Sequence, residues 1–130
     1  MNERDGQRFA VNQRARSFGY ALGGIAFVLR TQHNAWIHAA ISIAVVVLAA
    51  WLGVSLLEWA ILFLAMLAVW VAEFVNTAVE ATVDLITEDR QPLAEVAKDV
   101  AAGAVLLAAA GSVIVGLLVL GPPLWSRLVG

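Results

Sequence analysis

The chain has 130 residues, 62% of them hydrophobic, a formal net charge of -2 and no cysteine, and its mean hydropathy is +0.85. Soluble domains run to roughly 45 to 50% apolar residues, so an ordinary water-soluble protein is excluded, and the lack of thiols excludes a disulfide framework or a cysteine-ligated metal. What remains is an all-α integral membrane protein, short enough that residues 1–130 form a single unit.

The first dozen residues, MNERDGQRFAVN, are polar and are expected to fray. Phe18, Leu22, Ile25, Ala26 and Leu29 then recur at helical spacing, which predicts an amphipathic surface helix over 14–31. Gly19, Gly23 and Gly24 thin one side of it. Arg4, Arg8, Arg14, Arg16 and Arg30 precede the first long apolar run, while most acids follow it. By the positive-inside rule the amino end is expected to be cytoplasmic. That run starts only after residue 34 and lacks a small-residue cleavage site, so no secretory signal is expected.

Three transmembrane helices are predicted over 35–53, 57–83 and 97–120, each near the roughly 20 residues that a bilayer requires. Gly53 and Ser55 interrupt the apolar pattern, and Trp51 and Trp59 flank them as an interfacial belt. The first two spans therefore form an antiparallel hairpin. A compact loop over 87–91 leads on the cytoplasmic side to Pro92, which suits the first turn of a helix. Gly103, Ala104, Ala108, Gly111 and Gly116 in the third span suit close packing between membrane helices. Pro122 and Pro123 are expected to end that span.

The chemistry concentrates in EFVNTAVEATVD, residues 73–84. On a helix Glu73, Asn76, Thr77, Glu80 and Asp84 share one face, and the uncharged stretch from Glu58 to Glu73 is too short to cross a bilayer by itself. Glu73 is the acid drawn inward, and a carboxylate that has lost its hydration is a stronger base. Glu80 and Asp84 offer hard oxygens of the kind Mg²⁺ prefers, and Asn76, between Glu73 and Glu80, offers both an acceptor and a donor. Lys98 and Asp99 open the third span at the same face, with Glu95 one turn earlier. His33 and His38 lie five apart, not the four of a helical metal pair, and read as interfacial polar residues. There is no P-loop, dinucleotide fingerprint or Ser-His-Asp arrangement.

The pattern E-x-x-N-T-A-x-E-x-x-x-D at 73–84, followed by PLAEVAKDVAAGAV at 92–105, resembles the prokaryotic diacylglycerol kinase and undecaprenol kinase family. The likeness extends over 16–120 in topology, with SFGYALGGI at 17–25 and NAWIH at 34–38. It implies a homotrimer of three-span subunits in the bacterial inner membrane. Its cytoplasmic sites form between neighbouring chains and transfer the γ-phosphate of ATP, with Mg²⁺, to a lipid hydroxyl. By position the resemblance makes Glu73 the general base, Glu80 the Mg²⁺ ligand and Asn76 the residue that organises both. It puts Lys98 and Asp99 at the nucleotide, Lys98 on the phosphates, Tyr20 at a position that contacts ATP, and Asp89, Arg90 and Gln91 in the loop that approaches it. An arginine, Arg14 or Arg16, could add to the neutralisation of phosphate charge. Gln32 stands where many members carry a second, metal-sharing glutamate. Either its amide oxygen coordinates weakly, or water and ATP phosphates complete the shell.

The form QPLAE at 91–95 and the run DVAAGAV look closer to the undecaprenol kinase side, with diacylglycerol the other candidate acceptor. Two other classes compete with a lipid kinase. A proton-coupled transporter would use Glu73 as a relay, although transporters place the key acid nearer the midplane. A non-catalytic scaffold would use the acids only to register helices.

Overall fold

The computed structural model describes residues 3–87, 89 and 91–130, with the backbone alone for 3–12 and 15. Four helices follow in order, α1 (Glu3–Thr31), α2 (His33–Leu52), α3 (Leu56–Ile86) and α4 (Pro92–Val129). The chain divides into two compact units, Met1–His33 and Asn34–Gly130. The first holds α1, a 29-residue helix that includes residues 3–12 of the opening expected to fray. Gln32 separates it from α2, its N–H still donating to the Val28 carbonyl at 2.9 Å.

The second unit holds the three helices long and apolar enough to cross a membrane. At 1.5 Å per residue, α3 is about 46 Å long and α4 about 57 Å, against a hydrocarbon core of roughly 30 Å. Both therefore project beyond the apolar layer, with Glu58 in the first turn of α3 and Glu73, Glu80 and Asp84 in its C-terminal half. Across these spans Phe63, Leu64, Leu106 and Leu117 turn outward among many other exposed large apolar side chains, as a bilayer-facing surface requires.

The hairpin between α2 and α3 is fully specified by its local chemistry. Gly53 takes φ 69°, which only glycine adopts without strain. Its N–H donates to Ala50 O while Val54 N–H donates to Ala49 O, both at 3.3 Å, the paired closure of a Schellman end. Ser55 then caps α3. Its hydroxyl accepts from Glu58 N–H, and the Glu58 carboxylate accepts from Ser55 N–H at 2.6 Å. This box satisfies backbone donors that would otherwise be orphaned. Beside the turn Ala49, Leu62 and Leu120 form the buried core, with Trp59 packed against it. At this end Arg127 of α4 donates from Nη1 to Trp51 O, and its guanidinium lies 4.8 Å from the Trp51 ring centroid.

Two sequence expectations need correction. Pro122 and Pro123 do not end the last helix, which continues to Val129. Proline removes a backbone donor and strains the preceding turn, but membrane helices tolerate it where hydroxyls and neighbours meet the freed carbonyls. The carbonyls freed here are those of Leu118 and Val119, four residues before each proline, and one turn further on Ser126 Oγ donates to Pro123 O at 3.0 Å as the helix continues. The glycines of α4 are not contact points within the chain, because a Cβ built on Gly103, Gly111 or Gly116 meets nothing within 4 Å.

Candidate functional site

The helical stripe on α3 forms as the spacing predicts, but its members differ sharply in surroundings. Glu73, Asn76 and Thr77 are buried, at 1%, 6% and 5% exposure, while Glu80 is half-buried and Asp84 open. Thr77 Oγ1 donates back to the Glu73 carbonyl at 3.0 Å, so it serves the backbone. Asn76 Nδ2 donates to Glu80 Oε1 at 3.0 Å, which fixes both side chains. Asn76 thereby aims its carbonyl oxygen away from Glu80, and this oxygen has no hydrogen-bond partner.

Both carboxylate oxygens of Glu73 are likewise buried without a hydrogen bond. Leaving one buried polar group unsatisfied costs about 1 to 3 kcal/mol, more when it is charged, and few native groups are left so. The closest ionisable neighbour is His38 of α2, whose Nε2 lies 3.7 Å from Glu73 Oε2. The His38 ring sits edge-on to Trp70, centroids 6.3 Å apart. Trp70 is anchored in turn, its Nε1 donating to Ser42 Oγ at 3.3 Å. His38 is thus a partner of the buried acid and not an interfacial residue. Sequence spacing within one helix could not reveal this, but a signal was present. Helices in a tight antiparallel hairpin face each other at matched distances from the turn, and His38 stands 17 residues before Ser55 while Glu73 stands 18 after.

A second cluster forms where α3 gives way to α4. Asp89 N–H donates to Thr87 Oγ1 at 3.1 Å, and Thr87 Oγ1 donates to Asp89 O at 3.2 Å, holding the loop in a small turn. Pro92 starts α4 at a position where the missing N–H costs nothing. The result is an open groove of about 490 Å³ whose walls include Asp84, Asp89, Gln91, Glu95, Lys98 and Asp99. Lys98 Nζ donates to Asp84 Oδ1 at 2.5 Å, with the two side chains 38% and 63% exposed. Asp84 is therefore engaged by a cation and is not a free metal oxygen as its spacing suggested. An exposed pair of this kind is worth about 1 kcal/mol or less. Lys98 can exchange Asp84 for a more highly charged phosphate at little cost.

The structure thus brings Asp89, Gln91, Lys98 and Asp99 around one groove, and Glu73, Asn76 and Glu80 into a separate buried patch. Eleven residues of helix, about 16 Å, separate Glu73 from Asp84, with Glu80 between. Arg16, Tyr20 and Gln32 belong to the N-terminal unit, where Arg16 and Tyr20 are exposed on α1. Arg90 lies outside the described residues. Among the described residues, no three histidines or carboxylates converge as a metal cluster.

The chain was compared with known proteins. The family model for prokaryotic diacylglycerol kinase matches residues 19–120. The undecaprenol kinase of Bacillus subtilis is 43% identical over 124 residues, covering 95% of this chain and 100% of that protein. The diacylglycerol kinase of Synechocystis is 44% identical over 114 residues, 87% of this chain and 65% of that protein. That of Escherichia coli is 36% identical over 82 residues, 63% of this chain and 64% of that protein.

Proposed function

The chain belongs to the prokaryotic diacylglycerol kinase family and is a multi-pass membrane lipid kinase that uses ATP, and from that premise we propose that its acceptor is undecaprenol and its general base Glu73. The observation that carries the second part is the Glu73 carboxylate, buried with both oxygens unpartnered. An acid kept at that cost, beside a membrane-facing surface, has a proton to accept. The choice of lipid rests on the relative that this chain covers from end to end, an undecaprenol kinase. Diacylglycerol is the competing acceptor.

In the proposed reaction the lipid hydroxyl approaches Glu73, which removes its proton as the oxygen bonds to the γ-phosphorus. The bond from that phosphorus to the bridging oxygen breaks, and ADP leaves with the electron pair. Phosphoryl transfer needs mainly positioning and charge neutralisation. Lys98 supplies a cation to the phosphates once released from Asp84, and Asp99, Asp89, Arg90 and Gln91 border the nucleotide. Arg16 and Tyr20 of α1 contribute from the surface helix. Asn76 holds Glu80 by its amide N–H and so sets the orientation of that carboxylate.

The donor set suits Mg²⁺. Glu80 spends one oxygen on Asn76 and keeps the other, and Mg²⁺ is commonly held by one or two carboxylates together with phosphates and water. A three-acid cluster is not needed. Glu80 would hold the ion, with water and ATP phosphates completing its shell. When bound, Mg²⁺ neutralises charge on the transferring phosphate.

The proposed assembly is a homotrimer with sites between neighbouring chains. Two observations support it, the distance between Glu73 and the Lys98 groove along one chain and the open glycine positions on α4. The arginine-rich amino end supports a cytoplasmic site at the bacterial inner membrane.

The deciding measurement uses purified protein in detergent micelles with labelled ATP, Mg²⁺ and a panel of undecaprenol, diacylglycerol and shorter alcohols. Preferred labelling of undecaprenol is expected. Preference for diacylglycerol would overturn the choice of lipid, and full activity of Glu73→Gln would overturn the choice of base.

A further inference from the structure

Glu73 is 1% exposed, so a proton taken from a substrate does not pass easily from it to water. Each turnover must nevertheless return this carboxylate to its basic form. We infer that His38 takes the proton from Glu73 and passes it to solvent, a relay that rests on Glu73 being the base. Among the described residues of the second unit, no other ionisable group faces the acid. On α3 the adjoining polar residues are Asn76 and Thr77, which do not titrate, and Glu80, seven residues away and bonded to Asn76. On α4 no titratable side chain lies between Asp99 and Arg127.

The geometry suits a relay better than a fixed structural bond. His38 Nε2 is 3.7 Å from Glu73 Oε2, about 0.5 to 1 Å beyond hydrogen-bond contact. A small side-chain movement closes the gap once the acid is protonated. The His38 side chain is 14% exposed against 1% for the acid, and His38 stands five residues from the polar start of α2, so the histidine is the more accessible of the two. Imidazole can accept a proton at one ring nitrogen and release another from the second. Here the Glu73 carboxyl gives its proton to Nε2, the carboxylate is regenerated, the imidazolium loses the Nδ1 proton to water, and exchange with water returns the ring to the Nδ1–H tautomer before the next turnover. Trp70 borders the ring, and the Ser42 bond keeps Trp70 in place. His38 therefore acts through Glu73 and does not act on the lipid.

The test compares wild type, His38→Gln, His38→Ala and Glu73→Gln of the full chain in micelles containing undecaprenol, ATP and Mg²⁺. For His38→Gln, kcat is expected to fall roughly 10- to 100-fold, the lower range of what acid-base groups contribute, while both KM values stay within about twofold, since binding groups are untouched. His38→Ala is expected to regain activity when imidazole is added, and its pH-rate profile to lose a limb that wild type shows. A kcat for His38→Gln within about twofold of wild type overturns the relay. So does a His38→Ala deficit that imidazole leaves unchanged while the pH profile keeps the wild-type shape, because that marks packing alone. Full activity in Glu73→Gln would remove the base itself, an outcome read separately from either histidine variant.

Discussion

The two ends of the membrane-spanning unit follow opposite rules. At the hairpin end every special feature of the chain is satisfied. Gly53 takes the conformation that only glycine adopts freely, Ser55 and Glu58 cap each other, Arg127 reaches a carbonyl and an aromatic face, and Leu62 is buried in the core. At the other end, a glutamate and an asparagine are buried with oxygens unpartnered, and a lysine is held by an exposed pair of little worth. One end stabilises the fold while the other keeps groups in a state the fold alone would not favour. Separation of this kind is expected of enzymes, whose local rules break at the site and hold elsewhere.

Substitutions can break this comparison, and the largest effect belongs to the polar end. Replacing Glu73 by Gln should lower kcat by about 10²- to 10⁴-fold, yet leave the melting temperature in detergent equal or higher, because an uncompensated buried carboxylate is removed. A loss of both would mean that Glu73 is structural after all. Leu62→Ala should do the reverse, costing about 2 to 5 kcal/mol of stability with kcat per folded protein unchanged. Lys98→Met should raise the KM for ATP about tenfold or more, equivalent to about 1.4 kcal/mol, with little change in melting temperature since the exposed pair contributes little. Gly53→Ala, forced into a left-handed backbone, should cost about 1 kcal/mol or somewhat more and spare turnover. Arg127→Gln, at an exposed contact, should cost less than about 1 kcal/mol. A turnover defect in either of these last two would show that the ends are coupled.

Much of the architecture was legible from hydropathy, because a membrane span must satisfy its own backbone and so announces itself by length and composition. The stripe on α3 was legible for the same reason, as helical period alone puts Glu73, Asn76, Thr77 and Glu80 on one face. Contacts between helices were harder to read. Asp84 looked like a free metal oxygen until Lys98, fourteen residues away across a loop, was seen to hold it. His38 looked interfacial because its relation to Glu73 exists only through the hairpin register. The proline pair misled because interior proline breaks a soluble helix more readily than a membrane span, and α4 runs on past it to Val129. Glycines of α4 that suit packing between membrane helices find no such contact within the chain.

The Schellman turn and capping box also act as a gauge. They set how α2 and α3 slide past one another, so that His38 meets Glu73 about 25 Å away along the helices. Inserting one residue between Gly53 and Ser55 would leave both helices intact yet shift their mutual phase by about 100°. A loop of three residues that touches nothing reactive would then be intolerant of length changes, although short surface connections are ordinarily forgiving.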